Sequence, residues 1–205
     1  MQKNIYPGKF LVFEGLDGSG HSTEAQLLKD YLIKSGKKVF LTREPSFNLK
    51  SGKLIKKALE NKKKISPRAL QGLFTKNRAE HLKKEVVPAL KKGKIVVCDR
   101  YFFSTFAYGA AEGQDLKWLM KINSNFLLPD LTFILKVSPR VCMKRIEGRG
   151  RPKSIFEQEK KLKKIWQTYK ILPKKFKNVK IINGEKSIKQ VFQNVKRIVK
   201  KELKI

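Results

Sequence analysis

The run Gly15-Leu16-Asp17-Gly18-Ser19-Gly20-His21-Ser22-Thr23 holds the chain's densest set of residues suited to gripping a phosphate chain. Gly15, Gly18 and Gly20 let backbone N–H groups turn inward without Cβ clashes. A helix opening near Ser22 would add the positive end of its dipole. The run fits the pattern G-x-x-x-x-G-K-[ST] at every position but the lysine, where His21 stands. Ser22 is the residue type that puts a hydroxyl on Mg²⁺. Imidazole is shorter than a lysine side chain and mostly neutral near its ordinary pKa of about 6.5. Two expectations follow for His21. Either nearby phosphates raise its pKa and it partly replaces the missing charge, so that activity rises as pH falls, or it packs at the loop base while other cations supply the charge.

Three further clusters carry chemistry. Asp99-Arg100-Tyr101 closes the apolar run Ile95–Cys98, setting a carboxylate and a guanidinium at one strand end; its plain alternative is a salt bridge between neighbours. Phe74 and Arg78 are four apart and share a helix face, although Phe74 alone reads as core. Gly148-Arg149-Gly150-Arg151-Pro152 breaks a helix with two arginines, which by themselves read as two surface cations among many.

These clusters need elements to position them. Phe10–Phe13, Val39–Leu41, Ile95–Cys98, Leu131–Val137 and Val179–Ile182 are short apolar runs that predict buried strands. Helices are predicted between them: Ser22–Lys34 with Gly36 as its stop, a short one around Leu54–Leu59, and one opened by Ser66-Pro67 and running to Leu82. Others are predicted near Ser104–Ala111, Leu116–Asn125, Ser138-Pro139 to Ile146, Ile155 to Leu172, and after a Ser187 cap. Strands alternating with helices imply an α/β domain with a mostly parallel sheet.

The composition excludes other classes. Apolar residues make up 40% of 205 residues, enough for one sizeable core. No apolar stretch approaches the ~20 residues of a membrane span, and no secretory signal opens the chain. Cys98 and Cys142 form neither a disulfide framework nor a metal-spaced cluster. A soluble cytoplasmic protein is expected. The net charge of +31 invites a nucleic-acid reading, but only nine of the 48 basic residues are Arg and the Lys are spread along the chain. Base-reading sites favour the Arg fork. Binding to DNA or RNA is therefore expected to be non-specific and steeply salt-dependent.

The chain resembles the thymidylate kinases from Phe10 to about Val199. The resemblance rests on Phe13-Glu-Gly-Leu-Asp-Gly-Ser-Gly20, Thr42-Arg-Glu-Pro45, Leu73-Phe74 with Asn77-Arg78-Ala79-Glu-His81, Asp99-Arg-Tyr101 with Ser104 and Ala107-Tyr108, and Pro129-Asp-Leu-Thr132. It implies a P-loop NTPase-type three-layer α/β fold with a five-stranded parallel sheet flanked by helices. It also implies one domain over 1–205, with a lid at about 147–154. The implied reaction is phosphoryl transfer from MgATP to dTMP, giving ADP and dTDP, by a cytoplasmic homodimer with no specific nucleic-acid or membrane partner.

Carried onto this sequence, the resemblance puts Gly15, Gly18, Ser19, Gly20, His21, Ser22 and Thr23 around ATP, and Mg²⁺ on Ser22 and Asp99. Arg43 and Arg100 would grip the acceptor phosphate, Asp17 would sit beside the acceptor, and Phe74 and Arg78 would stack on the base and donate to it. Ser104 would face the base and Tyr108 would crowd the sugar. Arg149 and Arg151 of the lid would supply charge at the transferring group, because Gly18 stands where some relatives carry a loop arginine. Three positions depart from the family pattern: His21, Ser46-Phe47-Asn48 after Arg-Glu-Pro, and Lys136. The competing readings are a catalytically weak nucleotide-binding protein, a kinase for another deoxynucleotide, and a polyanion-binding protein.

Overall fold

The computed structural model describes residues 1–150 and 152–203. Five strands form one parallel sheet: β1 (Lys9–Gly15), β2 (Val39–Arg43), β3 (Ile95–Asp99), β4 (Leu131–Lys136) and β5 (Val179–Asn183), in the order β2-β3-β1-β4-β5. The central β1 pairs with β3 from Lys9↔Ile95 to Phe13↔Asp99, and with β4 from Leu11↔Leu131 to Gly15↔Leu135. This register sets Asp99 beside the last turns of β1, where the glycine-rich run begins.

Strand alternation divides the molecule into layers. Leu11 and Phe13 of β1 join Val97, Phe133 and Ile182 on one face, under α1 (His21–Lys34) and α9 (Ile188–Leu203), which contribute Leu28, Leu32, Val191 and Val195. Phe10 and Val12 face the other way. They pack with Val96, Cys98 and Ile134 against α2 (Lys50–Leu59), α3 (Pro67–His81), α5 (Phe102–Ala111) and α8 (Glu159–Lys175). The remaining helices are α4 (Val87–Lys91), α6 (Leu116–Ile122) and α7 (Pro139–Glu147). The fold class is the expected one.

Several boundaries differ for identifiable reasons. The helix from Ser66 does not stop at Leu82: a π-helical turn, Leu82–Val86, joins α3 to α4. Helix α8 starts at Glu159 rather than Ile155, because Phe156 and Glu157 turn inward and Glu157 accepts from the Ser154 amide at 2.6 Å. Ser66 caps α3 through its hydroxyl, as predicted, whereas Ser138 gives α7 no side-chain cap; its amide instead donates to Glu185. Ser187 exchanges contacts with Gln190 across the start of α9.

Glu24, one turn into α1, is 3% exposed, and its Oε2 has no partner among the described residues. Burial pushes its carboxyl up to about 7 from an ordinary 4.5. The folded chain therefore holds this proton more tightly than the unfolded chain, and the stability linked to it is lost as pH rises through that window. Glu24→Gln should stabilise the protein at pH 8 by about 2 kcal/mol, and by far less at pH 4.5. Denaturant titration without nucleotide or Mg²⁺ checks this; an equal change at both pH values would overturn it.

Candidate functional site

The glycine-rich run lies between β1 and α1, as its residue types require. Gly18 (φ 83°) and Gly20 (φ 95°) occupy the left-handed region, and Gly20 is the residue from which α1 departs. A Cβ on Gly18 would lie 2.6 Å from the Cys142 carbonyl oxygen. That contact with α7 leaves no room for an arginine at this position. Ser19 turns back through its amide to Leu16 at 3.0 Å, and its buried hydroxyl has no partner among the described residues. Thr23 is exposed on the first turn of α1.

Arg100 is the hub. Its backbone is left-handed (φ 71°), an uncommon state for a residue with a side chain, and its amide extends the sheet by donating to Phe13 O at 2.8 Å. The guanidinium donates to Gly15 O (2.9 Å), Ser104 Oγ (3.0 Å), Asp17 Oδ1 (2.8 Å) and His21 Nε2 (2.8 Å). Asp17 also accepts from the Tyr108 hydroxyl at 2.9 Å, and the Arg100 guanidinium lies over the Tyr108 ring at 5.1 Å. One cation thus ties the phosphate loop to the end of β3 and to α5.

His21 is 7% exposed and bridges two charges. Its Nδ1 meets Asp99 Oδ1 at 2.6 Å while its Nε2 faces the Arg100 donor. Arg100 has no lone pair to offer, so Nε2 must accept and Nδ1 must carry the hydrogen: the imidazole is neutral. Burial, with Arg100 close by, lowers its pKa against the pull of Asp99. A neutral ring between Asp99 and Arg100 fits the expectation in which other cations supply the charge, and gives His21 two polar partners there. Asp99 accepts from Ser22 Oγ at 2.7 Å on its other oxygen. Burial pushes the Asp99 carboxyl up, but His21, Arg100 and Ser22 together hold it well below the usual carboxylate range.

The other expected residues are distributed unevenly. Arg43 ends β2, exposed, with its guanidinium 3.9 Å from Asp99 and 5.8 Å from the Phe47 ring. Phe74 is half-buried on α3. Arg78 is 2% exposed and donates to Glu44 (2.8 Å), Asn123 and Thr105 (3.1 Å). It is fastened inside the wall of the site rather than projecting from it. The hydroxyl of Ser104, expected to face a base, is instead used within the fold, accepting from Arg100 and donating to Glu14. Arg149 pairs with Glu157 at 3.3 Å, and Arg151 lies outside the described residues.

Three residues were not singled out from the sequence. Arg145 of α7 reaches the carbonyls of Gly18 and Ser19 at 3.4 Å and Gly184 at 3.3 Å, resting a cation on the loop from behind. Its only signal was position, one helical turn before the basic glycine segment. Glu157 anchors Arg149, and its burial amid a polar stretch gave no periodic cue. Glu14 is wholly buried: burial raises its pKa, with Arg100 and the hydroxyls of Ser104 and Tyr169 opposing.

Comparison with known proteins agrees with this geometry. A family model described as thymidylate kinase matches residues 13–195. A probable thymidylate kinase of Pyrococcus abyssi is 38% identical over 201 residues, covering 96% of this chain and 98% of the relative. A probable thymidylate kinase of Thermococcus onnurineus is 39% identical over 203 residues (95% and 98%), and a thymidylate kinase of Caldicellulosiruptor saccharolyticus is 34% identical over 202 residues (96% and 98%). With a matching family model over most of its length and full-length relatives at this identity, the chain belongs to the thymidylate kinase family.

Proposed function

We infer that the chain is an ATP-dependent kinase that transfers a phosphoryl group to dTMP, giving dTDP and ADP. The observation that carries the reading is Arg100, one guanidinium contacting the phosphate loop, Asp17 and His21 at once. Phosphoryl transfer needs little covalent help. It needs two nucleotides held in line and a cation where charge moves between them. Arg100 would serve for that, and Arg43, at the neighbouring strand end, would grip the acceptor phosphate. Phe74 and the Arg78–Thr105 wall would receive the base, and Tyr108, its hydroxyl on Asp17, would border the sugar.

Mg²⁺ belongs to the same proposal. Ser22 Oγ and Asp99 Oδ2 are 2.7 Å apart, and Asp99 stays ionised, a hard-oxygen pair of the kind that holds this ion together with substrate phosphates. The ion would neutralise donor phosphate charge; Ser22 and Asp99 would hold it. Arg149, released from Glu157, would serve as the lid cation for segment 147–154. No described helix is long and apolar enough to cross a membrane. A cytoplasmic homodimer completes the proposal, and light scattering that finds a monomer at micromolar concentration would remove the dimer.

A coupled assay with MgATP against dTMP, dUMP, dCMP and thymidine tests the function. Turnover should be best with dTMP; equal rates with dTMP and dCMP would overturn the acceptor assignment. Arg145 supports the loop that would cradle the donor, so Arg145→Ala should raise KM for ATP about 10-fold, the size of one charge-assisted contact, and leave KM for dTMP unchanged. A parallel rise in both KM values would count against a donor-side role.

A further inference from the structure

On β1, the side chains facing α5 and α8 are Phe10, Val12 and Glu14. The first two are core hydrophobes with no exposure; the third is a carboxylate, also with none. An acid in the next slot of an apolar row breaks the local pattern, and such breaks fall at functional or strained sites. Every contact of this carboxylate runs to the same small region. Oε1 accepts from the Tyr101 amide (2.8 Å) and the Ser104 amide (3.1 Å), and Oε2 accepts from the Ser104 hydroxyl and from the Tyr169 hydroxyl (2.9 Å).

Those amides lie at the start of α5, where the Ser104 amide is shared between Glu14 and the Tyr101 carbonyl (3.1 Å) and the helix's own preceding side chain gives it no cap. Glu14 therefore caps α5 from a different element. The capped turn begins one residue after Arg100, whose left-handed backbone is held between the Phe13 carbonyl and this cap. Ser104, fixed by Glu14, is in turn an acceptor for the Arg100 guanidinium at 3.0 Å. Tyr169 brings in α8, the helix that follows segment 147–154, and Phe156, between that segment and α8, packs edge-on against Tyr108, 5.1 Å between centroids, beside Asp17 and Arg100.

We propose that Glu14 is a positioning residue for Arg100, and that Tyr169, by sharing the same carboxylate oxygen with Ser104, couples α8 and the lid segment to the aim of that arginine. Motion of α8 would then reach Arg100 through two hydroxyls and one carboxylate. The inference rests on the kinase reading above. It asks only how the arginine is held, and assigns neither Glu14 nor Tyr169 a contact with substrate.

The test compares Glu14→Gln, Tyr169→Phe and their combination with the parent under saturating MgATP and dTMP, with melting temperatures measured alongside. Gln keeps one acceptor oxygen for the two amides but turns an NH₂ toward the Ser104 and Tyr169 hydroxyls, so the charge is lost and those two bonds must reverse while size is kept. Glu14→Gln should lower kcat by 10-fold to 100-fold, about the range a misplaced catalytic group costs, with KM for ATP unchanged. Tyr169→Phe should lower kcat about 5-fold, a fraction of that same misplacement cost, again with KM for ATP unchanged. The double variant should be no slower than Glu14→Gln, since both act through one carboxylate. A merely structural role would lower the melting temperature of both variants and leave kcat at the parent value, and that result overturns the proposal. If Glu14→Gln does not fold, Tyr169→Phe decides alone: parent-like kcat refutes the coupling. A parent with no dTMP-dependent turnover would instead defeat the kinase reading.

Discussion

Arg100→Ala is expected to lower kcat by about 10³-fold or more, the range found for arginines that stabilise a transferring phosphoryl group. The expectation comes from position. The guanidinium touches Gly15 O in the phosphate loop, Asp17 beside the proposed acceptor, and His21 above Asp99, so on the kinase reading it would stand where donor and acceptor charge meet. Its left-handed backbone is a conformation costing on the order of 1–3 kcal/mol, retained because β1, α5 and the loop over-determine it. Removing the side chain also frees Asp17 and Ser104, and so disturbs the acceptor side. Arg100→Lys separates charge from shape: a lysine keeps the cation but cannot reproduce four directed contacts, and should recover only a small part of the loss. Single-turnover rates with saturating nucleotides measure this directly. A lysine variant as fast as the parent would show that the fork is not used, and an alanine variant within 10-fold of the parent would remove Arg100 from the chemistry.

What was legible in the sequence, and what was not, divides by distance along the chain. Apolar runs located all five strands because both faces of a parallel sheet are buried, so Val96-Val97 and Ile134-Leu135 read as strand without needing alternation. Ser66-Pro67 and Gly36 marked helix ends because caps are local chemistry. The phosphate loop was legible for the same reason: its glycines and Ser22 lie within nine consecutive residues. Partners across the chain were not. Asp99 meets His21 from 78 residues away, and Arg145 reaches Gly18 from 127. Glu14 bonds Tyr169 across 155. Glu14 nonetheless left a trace, a charge in phase with Phe10 and Val12. Ser104 was expected to face a base because the resemblance implies it; a hydroxyl early in a helix has many candidate partners, and only the fold shows that Glu14 and Arg100 claim it. Arg78 shows the same effect: the i, i+4 spacing put it on one helix face with Phe74, but its burial against Glu44 depended on the neighbouring strand end.

His21 yields the other large effect, and a neutral ring predicts the opposite sign with pH from a charged one. A charged surrogate for lysine would make kcat rise as pH falls. In this structure Nε2 is occupied by an Arg100 N–H at 2.8 Å, and burial with that neighbour depresses the imidazole pKa. Protonating Nε2 would destroy an acceptor and set two cations in contact, so acid should bring loss rather than gain. Stability follows the same sign. The unfolded chain takes up this proton first, near 6.5, and the fold is weakened as pH falls below that value. The neutral ring holds Asp99 on one side and Arg100 on the other; deleting it in His21→Ala should lower kcat about 100-fold, the cost of about an ångström of misplacement. His21→Gln is the decisive companion, because a carboxamide carries an N–H donor and a carbonyl acceptor on one carbon and bears no charge at any working pH. It should recover most of the lost rate, with a pH profile shaped like the parent's. Steady-state kcat from pH 5.5 to 9 checks both points. A parent that accelerates toward acid, with His21→Gln as slow as His21→Ala, would restore the charged-histidine view; three indistinguishable profiles would mean that Asp99 and Arg100 hold their places without the ring.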